Sequence, residues 1–386
     1  MKSLSLYVHI PFCVKKCAYC DFASFPNREG QWRQYFDAIA AEIRQWSEMT
    51  DFGLLMDRFH IRSLFFGGGT PTLMPADYIV ETIDRCRHIA AFDADIEITV
   101  EGNPGTLTPE KLGAYRRAGV NRLSLGAQSF DNGLLRSLGR IHTAEQIAEA
   151  VHMAQDEGFS NINLDLMYGL PGQTMAQWLD TLDRAMALNV QHISAYSLIV
   201  EEGTPMASRV SRGEAVIPED DAVNAMQRAA VEQLAKKDFS RYEISNYAKL
   251  KSECRHNLTY WRWGDYLGLG CAAHSMLDDC RFSNPSSLEE YLAGGRIEGF
   301  ERLTPGDIME ETVMLSTRTT QGLNLPAWRE RFGRPFAPEG CEALDRLAKA
   351  GLIEIKDGFL RLTCRGMEVQ NAVVLELLEI QEARER

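Results

Sequence analysis

The sequence lacks features that mark several large classes of protein. Its 386 residues contain no run of 18 apolar residues, so we expect no transmembrane helix. The residues before Cys13 include one lysine and no long apolar segment, which predicts neither a signal peptide nor a transit peptide. Basic residues are the minority, with 41 Lys and Arg against 54 Asp and Glu and a net charge of −13. Since clustered Lys and Arg supply affinity for phosphate backbones, we expect no nucleic-acid partner.

Cysteine is present, but its number and arrangement do not suit a disulfide framework. The chain has nine cysteines, an odd number, and three of them lie together between residues 13 and 20. Such a pattern in a long chain is typical of metal ligands in a reducing compartment, so we expect a cytoplasmic protein. Hydrophobic residues at 45% and charged residues at 25% indicate a globular chain, long enough for one large domain and a smaller one.

The three clustered cysteines directly follow a short β-branched and aromatic run, Tyr7–Ile10. Cys13, Cys17 and Cys20 have C-x3-C-x2-C spacing and therefore share one tight loop at the end of a predicted strand. Three thiolates can bind three corners of an iron–sulfur cubane and leave the fourth iron open to an exogenous ligand. The alternatives are a zinc site completed by His9 or a later cysteine, and free cytosolic cysteines.

From residue 5 to about 240 the chain alternates short apolar runs with longer periodic segments, which predicts repeated βα units. The predicted strands are Leu6–Ile10, Ser63–Phe66, Ile96–Val100, Arg122–Leu125, Ile162–Met167 and His192–Leu198. The predicted helices are Gln31–Met49, Ala76–His88, Pro109–Ala118, Thr143–Glu157 and Met175–Leu188. Spacing alone allows either a partial barrel or an open sheet, and both arrangements gather sites at the carboxyl ends of the strands.

Chemically useful residues follow several of these strands. Gly67–Thr72, sequence GGGTPT, follows strand two, where glycines allow backbone amides to approach a ligand closely; a plain tight turn is the alternative. Glu101 follows strand three and is suited to bind a ribose or an ammonium group, although it also fits a solvated acid that starts a helix. Asp165 lies within an apolar strand, where a carboxylate needs a partner; a buried structural hydrogen bond would also explain it.

These runs together resemble the coproporphyrinogen III dehydrogenase-like group of radical S-adenosylmethionine (SAM) proteins. The resemblance rests on the aromatic Tyr19 before the last clustered cysteine and on the runs YVHIPFC, CAYCDF, FFGGGTPT, EGNP, RLSLGAQSF, NINLDLMYGLPGQT and ISAYSLIVEEGTP. It covers the chain from Leu4 to the C-terminus. It implies a partial (βα)6 barrel and a [4Fe-4S] cluster bound by Cys13, Cys17 and Cys20, with SAM on the fourth iron.

The resemblance also implies which residues contact SAM. They are Tyr7, Tyr19, Gly68, Gly69, Thr70, Glu101, Gln128, Arg140, Asp165 and Ser197. In the oxidases of this group, some of these positions would serve a second SAM molecule. In this chain, the same positions would either bind a second SAM molecule or line a cavity that faces heme.

The group has two main branches, the oxygen-independent coproporphyrinogen oxidases and a heme-chaperone branch. The oxidases carry a further cysteine where this chain has Phe22, and an extension before the first strand, where six residues precede Tyr7 here. Both departures favour the heme-chaperone branch and predict that coproporphyrinogen oxidase activity is absent. The oxidase, which decarboxylates porphyrinogen propionates oxidatively, is the alternative; a redox sensor that dimerises with its cluster is a third.

A further segment, His256-Asn-Leu-Thr-Tyr-Trp261, resembles an HNxxYW motif of the heme-chaperone branch. An imidazole can bind heme iron while neighbouring aromatic rings cover the macrocycle. His256 is the first candidate ligand, with Cys254, Cys271 and His274 as local rivals. A histidine that caps a turn beside aromatic packing is the alternative. The resemblance implies heme and an acceptor hemoprotein as partners, and it allows a homodimer and transient membrane contact.

The C-terminal part has a different pattern. Ile308–Thr317 and Cys341–Ala350 are predicted amphipathic helices, and Gly351–Leu362 predicts a hairpin that turns at Asp357-Gly358. Helix followed by hairpin indicates a small winged-helix-like α+β domain, which we expect to pack or to contact protein. We therefore predict a barrel over residues 1–240, a connecting region over 241–300 and this domain over 301–386.

Overall fold

The structure, a computed structural model, describes residues 1–49 and 55–382. One large sheet dominates the described residues, with strand order β14-β13-β12-β11-β1-β4-β5-β6-β7-β8-β10-β9. Its strands are β1 Lys2–Ile10, β4 Phe59–Gly68, β5 Ala91–Gly102, β6 Arg122–Gln128, β7 Ile162–Tyr168, β8 His192–Ser197, β9 Ser240–Arg241, β10 Asn246–Ala248, β11 Asp265–Leu269, β12 His274–Leu277, β13 Cys280–Ser283 and β14 Glu298–Arg302. A two-stranded ladder joins β2 Phe12–Cys13 to β3 Phe25–Pro26.

Helices follow the strands as the βα pattern predicts. They are α1 Trp32–Glu48, α2 Leu55–Arg58, α3 Ala76–Cys86, α4 Pro109–Ala118, α5 Asn132–Ser137, α6 Ala144–Asp156, α7 Met175–Ala187, α8 Pro205–Ser211, α9 Asp220–Ala235, α10 Arg255–Trp261, α11 Leu288–Leu292, α12 Pro305–Ser316, α13 Leu325–Phe332, α14 Glu342–Lys349, α15 Cys364–Glu368 and α16 Gln370–Glu382. Local signals set their starts: Thr143 and Thr174 each form a capping box with the glutamine three residues later, which satisfies amides that a helix start leaves free.

The six predicted strands are β1, β4, β5, β6, β7 and β8, and all five neighbouring pairs are parallel. Most of their side chains are buried, as in β7, where only Asp165 is partly exposed, although the first half of β5 is not. This is the pattern of parallel strands enclosed by helices. The six strands also follow one another in the sheet in their order along the chain, as in a barrel, so the predicted partial barrel is confirmed and the carboxyl ends of its strands open on one side.

The sheet continues at both edges with strands that the sequence did not predict. β11 pairs in parallel with β1, from Leu4 opposite Asp265 to Val8 opposite Leu269. Three antiparallel strands then extend this edge, and β10 and β9 extend the other. Residues from the segment 241–300 thus belong to the same sheet as the first strand.

The C-terminal region has its own core around Trp328, Leu347 and Leu360. A small antiparallel sheet packs there with its helices; its strands, in the order β15-β17-β16, are β15 Leu323–Asn324, β16 Ile353–Lys356 and β17 Phe359–Leu362. The predicted hairpin is confirmed, and Asp357 and Gly358 both have positive φ, at 52° and 79°, as a type I′ turn requires. Within the described ranges, no helix combines the length and apolar character needed to cross a bilayer.

Candidate functional site

The carboxyl ends of the parallel strands surround a cavity of about 350 Å³, which we call the mouth cavity. Most of the predicted site residues line it, although they come from five different strands and the loops that follow them. They are Cys13, Cys17, Tyr19, Cys20, Gly68, Gly69, Thr70, Glu101, Gln128, Arg140 and Asp165. Its volume falls within the range of about 300–1,000 Å³ that is common for small-molecule sites.

The cysteine loop is fixed to the scaffold by backbone hydrogen bonds. The amide of Ala18 donates to the carbonyl of Leu138 at 3.0 Å, and the Ala18 carbonyl accepts from the amide of Met206 at 2.8 Å. All three cysteines are half-buried and free of disulfides. Their side chains therefore face one cavity from a loop held on two sides.

The cavity wall also supplies groups that favour thiolates. Arg140 places Nη1 3.3 Å from the Cys17 sulfur, and the Thr70 hydroxyl lies 3.7 Å from the Cys13 sulfur. Burial raises the pKa of the Cys13 and Cys20 thiols, so a bound metal or nearby cations are needed to hold them as thiolates. Among the described residues, no three His, Cys, Asp or Glu side chains are placed together as metal ligands, so an iron–sulfur cluster on these three thiols stays a prediction.

The glycine loop approaches the base of the cysteine loop too closely to carry side chains. A Cβ on Gly69 would lie 2.6 Å from the carbonyl oxygen of Phe12, and one on Gly68 would lie 2.5 Å from the ring of His9. The amides of Gly69 and Thr70 donate to the carbonyls of Ile10 and Phe12, each at 2.8 Å. These bonds hold the two loops together, and Gly68 has a φ of 106°, which only glycine adopts freely.

His9 supports this corner of the site, a role that the sequence reasoning missed. Its Nδ1 is 2.9 Å from the Tyr7 hydroxyl, and its Nε2 is 2.9 Å from the Ala23 carbonyl. Burial lowers its pKa, which favours the neutral ring. The spacing of two residues puts Tyr7 and His9 on the same face of β1, which is the signal that could have revealed the pair.

Two carboxylates and a guanidinium complete the wall. Burial and the nearby charge of Asp165 raise the pKa of Glu101 to about 8, although the Gly68 amide donates to it at 3.2 Å. Burial also raises the pKa of Asp165, which accepts bonds from Asn163 and Ser124. Neighbouring carboxylates with raised pKa values are common where a ligand is bound.

Unpaired polar atoms in this wall also indicate a ligand. Arg140 donates to the carbonyl of Gly126 at 2.8 Å and to Asn103, but its Nε has no hydrogen-bond partner among the described residues. The side-chain oxygen of Gln128 is likewise buried without one, and Gln128 has a φ of 56°. Since buried polar groups are normally paired, these atoms fit a polar ligand such as the amino, carboxylate or ribose groups of SAM.

Three predicted residues do not line the mouth cavity. Ser197 ends β8, half-buried, and Tyr7 and His256 instead line an inner cavity of about 210 Å³. The inner cavity touches the mouth cavity through Glu101, Ser124, Asp165 and Tyr196, which line both.

The predicted heme ligand His256 is enclosed in this inner cavity. It is 1% exposed, with Nδ1 2.9 Å from Ser63 Oγ and Nε2 2.8 Å from the Tyr260 hydroxyl. Burial and the nearby Arg122 lower its pKa to about 3. A role as an iron ligand would require one of these bonds to be released, and it stays a prediction.

The rivals to His256 differ in access. Cys254 is buried with its thiol 3.6 Å from Glu97, and burial raises its pKa to about 12. The buried Cys271 thiol donates to the carbonyl of Pro285 at 3.3 Å. His274 is exposed at the start of β12.

Arg122 is a second feature of the inner cavity that sequence reasoning missed. It is 2% exposed on β6, and its Nε lacks a hydrogen-bond partner among the described residues. A charged residue in an apolar strand is the signal that could have identified it, as it did for Asp165.

Comparison with known proteins agrees with the fold and the motifs. Residues 7–185 match the radical SAM superfamily, and residues 303–369 match the HemN C-terminal domain. The fold is similar to a solved structure of the coproporphyrinogen III oxidase HemN from Escherichia coli, which is described as a radical SAM enzyme. The two chains have a TM-score of 0.82 and a sequence identity of 26%. That match covers 97% of this chain and 90% of the other, and it supports the partial barrel with a C-terminal domain.

Curated relatives are more similar in sequence. The heme chaperone HemW of Bacillus subtilis (strain 168) is 33% identical over 375 residues, which is 96% of this chain and 97% of that protein. The heme chaperone HemW of Escherichia coli (strain K12) is 40% identical over 272 residues, covering 70% of this chain and 69% of that protein. The chain therefore belongs to the HemW family of radical SAM proteins.

Proposed function

We propose that this protein is a heme chaperone built on a radical SAM barrel. In this proposal Cys13, Cys17 and Cys20 bind a [4Fe-4S] cluster, SAM occupies the mouth cavity, and the protein binds heme and passes it to an acceptor hemoprotein. The observation that carries it is the convergence of these thiols with the glycine loop, Glu101 and Arg140 on one cavity, in a chain related over its length to proteins named heme chaperones.

Each group of the wall has a task that its chemistry suits. The thiolates bind iron, and Arg140 offsets their negative charge. The oxygens of Glu101 and Asp165 are suited to orient the amino acid and ribose parts of SAM, and the amides of Gly68 and Gly69 hold the loop by donating to Glu101 and Ile10. When bound, a cluster with SAM supplies one-electron chemistry, which the protein positions and shields.

The alternative within the family is oxidation of coproporphyrinogen. Phe22 stands where the oxidases carry a further cysteine; it lines the mouth cavity, 62% exposed. An apolar ring at that position adds no iron ligand and offers a surface for another apolar group. The identity of 33–40% to heme chaperones, against 26% to the oxidase HemN, also favours the chaperone.

An anaerobic heme titration of the cluster-reconstituted full chain tests the proposal. We expect about four iron atoms per chain before heme is added, saturable heme binding followed by absorbance, and heme transfer to an apo-hemoprotein. The variant Cys13→Ala/Cys17→Ala/Cys20→Ala should lose the cluster, and Cys364→Ala, an exposed cysteine elsewhere, should keep it.

The same samples are given coproporphyrinogen III, SAM and a reductant. Formation of protoporphyrinogen without heme binding would replace the chaperone proposal with the oxidase. The same samples on a sizing column test the predicted homodimer.

A further inference from the structure

A third cavity lies at the seam between the barrel and the C-terminal domain. This seam groove has a volume of about 390 Å³ and is open to solvent. Its walls come from the end of α10 and the turn after it, from α12, and from the C-terminal domain. Five aromatic side chains line it: Trp261, Trp263, Trp328, Phe332 and Phe359.

The rings of the seam groove lie beside guanidinium groups. Trp328 and Phe332 have ring centroids 4.4 Å apart, with ring planes tilted by 54°. The guanidinium of Arg331, which lines the groove, lies 5.6 Å from the ring centroid of Trp263, and that of Arg318, outside the lining, lies 4.7 Å from Trp261. Aromatic rings and guanidinium groups are the usual receptors for planar aromatic ligands and for cation–π contacts.

Two indole donors at the groove are unpaired. The Nε1 atoms of Trp261 and Trp328 are buried without a hydrogen-bond partner among the described residues. Trp263, by contrast, donates to Asp279 at 3.2 Å. Buried tryptophan N–H groups normally find a partner, and these two have none among the described residues.

The groove is basic although the chain is acidic. Exposed Arg262 and Arg331 line it, and no Asp or Glu does so in the described part of the chain. Arg262 donates to the side-chain oxygen of Gln321 at 3.2 Å, and Arg331 forms an ion pair with Asp279, outside the groove, at 3.1 Å. In a chain of net charge −13, the groove therefore offers an acidic ligand mainly the charge of Arg262.

The lining also contains no His, Cys, Met or Tyr among the described residues, which are the side chains that bind heme iron. We propose that the seam groove binds one face of a porphyrin that carries carboxylates, through its ring system and its propionates and without a bond to the metal. This inference rests on the proposed function and names where and how heme is held. An open groove leaves the other face of the macrocycle free for transfer.

The inner cavity is a poorer candidate. At 210 Å³ it is smaller than common ligand sites, and His256 lies inside it. Helix α10 joins the two places, since His256, Asn257 and Tyr260 line the inner cavity while Trp261 lines the groove. A porphyrin in the groove therefore contacts the helix that closes the barrel interior.

The test is a pair of titrations of the reconstituted full chain, one with heme and one with metal-free protoporphyrin IX, followed by tryptophan quenching. Three of the six tryptophans of the chain line the groove. We expect both porphyrins to bind with dissociation constants within threefold of each other. Ala327 is exposed and lines the groove, so Ala327→Trp should fill it. This variant and Arg331→Glu should each weaken the binding of both porphyrins at least tenfold.

Arg329→Glu is the matched control, because Arg329 is exposed on the same helix and lines a different cavity. It should leave both constants unchanged. If both groove variants still bound heme tightly and the metal-free porphyrin did not bind, the seam groove would not be the porphyrin site. The chaperone proposal would remain intact. No binding of heme to the wild type would instead overturn the chaperone proposal.

Discussion

The mouth cavity and the seam groove are similar in volume, at about 350 and 390 Å³, but they differ in chemistry. The mouth cavity is lined by thiols, backbone amides, carboxylates and a guanidinium. The groove is lined by aromatic rings and arginines. The first suits metal and a zwitterion, and the second suits a flat acidic molecule.

They also differ in how the chain builds them. The walls of the mouth cavity lie in or directly after successive strands of one repeating unit, so the parallel sheet brings them together. The seam groove combines the end of α10 with side chains about 50 to 100 residues later in the chain. A site built by a repeating fold can therefore be predicted from sequence motifs, whereas a site at a domain seam cannot.

The largest expected effect tests whether the two sites are independent. In Gly69→Ala the new Cβ would lie 2.6 Å from the carbonyl oxygen of Phe12 and 2.9 Å from that of Ile10. These are backbone atoms, so the clash cannot be relieved by a change of side-chain rotamer. Overpacking of this kind costs about 1–3 kcal/mol or more. We expect cluster reconstitution and SAM binding to be lost, with a lowered Tm, while protoporphyrin binding is retained.

Gly105→Ala is the control, because no atom lies within 4 Å of a Cβ there. It should reconstitute as the wild type does. If Gly69→Ala also lost porphyrin binding while it remained folded by circular dichroism, the two sites would be coupled and the comparison would need revision.

The barrel could be predicted because its signals are local. The predicted helix Gln31–Met49 is observed as Trp32–Glu48, and Pro109–Ala118 has the predicted bounds. Strands of the barrel are marked by short apolar runs, and the starts of α6 and α7 are marked by Thr143 and Thr174. Each of these signals lies within or next to the element that it predicts. The cysteine spacing and the glycine run are equally local.

Features that depend on distant pairing could not be predicted. Asp265–Leu269 becomes a parallel neighbour of β1, a contact across more than 250 residues that no local pattern encodes. The buried position of His256, between Ser63 and Tyr260, follows from that pairing. Sequence identified the motif, and only the fold shows which way its imidazole points.

A smaller effect should separate charge from shape in the mouth cavity. Arg140 contacts the Cys17 sulfur, Gly126 and Asn103. Hydrogen bonds to charged groups are each worth about 1.5–3 kcal/mol, so Arg140→Ala should weaken SAM at least about tenfold. Arg140→Lys keeps the positive charge but not the planar guanidinium with its several donors, so it should recover part of the lost SAM affinity.

Equilibrium dialysis of radiolabelled SAM against reconstituted protein gives the constants. The seam groove provides the internal control, because Arg140 is remote from its lining and porphyrin affinity should not change. Equal SAM affinity in the wild type and Arg140→Ala would remove Arg140 from the site.

The smallest effect concerns Glu101, which lines the mouth cavity and the inner cavity but not the groove. Burial and Asp165 raise its pKa from 4.5 to about 8. The folded protein therefore keeps a proton that the unfolded chain releases above pH 4.5, and stability falls as pH rises from about 4.5 to 8. One such group changes the free energy of unfolding by at most about 1.4 kcal/mol per pH unit, and less here because Glu101 faces a cavity.

Glu101→Gln removes this titration and keeps an acceptor for the Gly68 amide. Its Tm should therefore exceed that of the wild type by a margin that widens from pH 5 to pH 8 and then stays constant. Glu81→Gln, an exposed acid on α3, should follow the wild type throughout. Parallel Tm profiles for Glu101→Gln and the wild type would show that Glu101 is already ionised, and that the mouth cavity offers SAM two carboxylates rather than one.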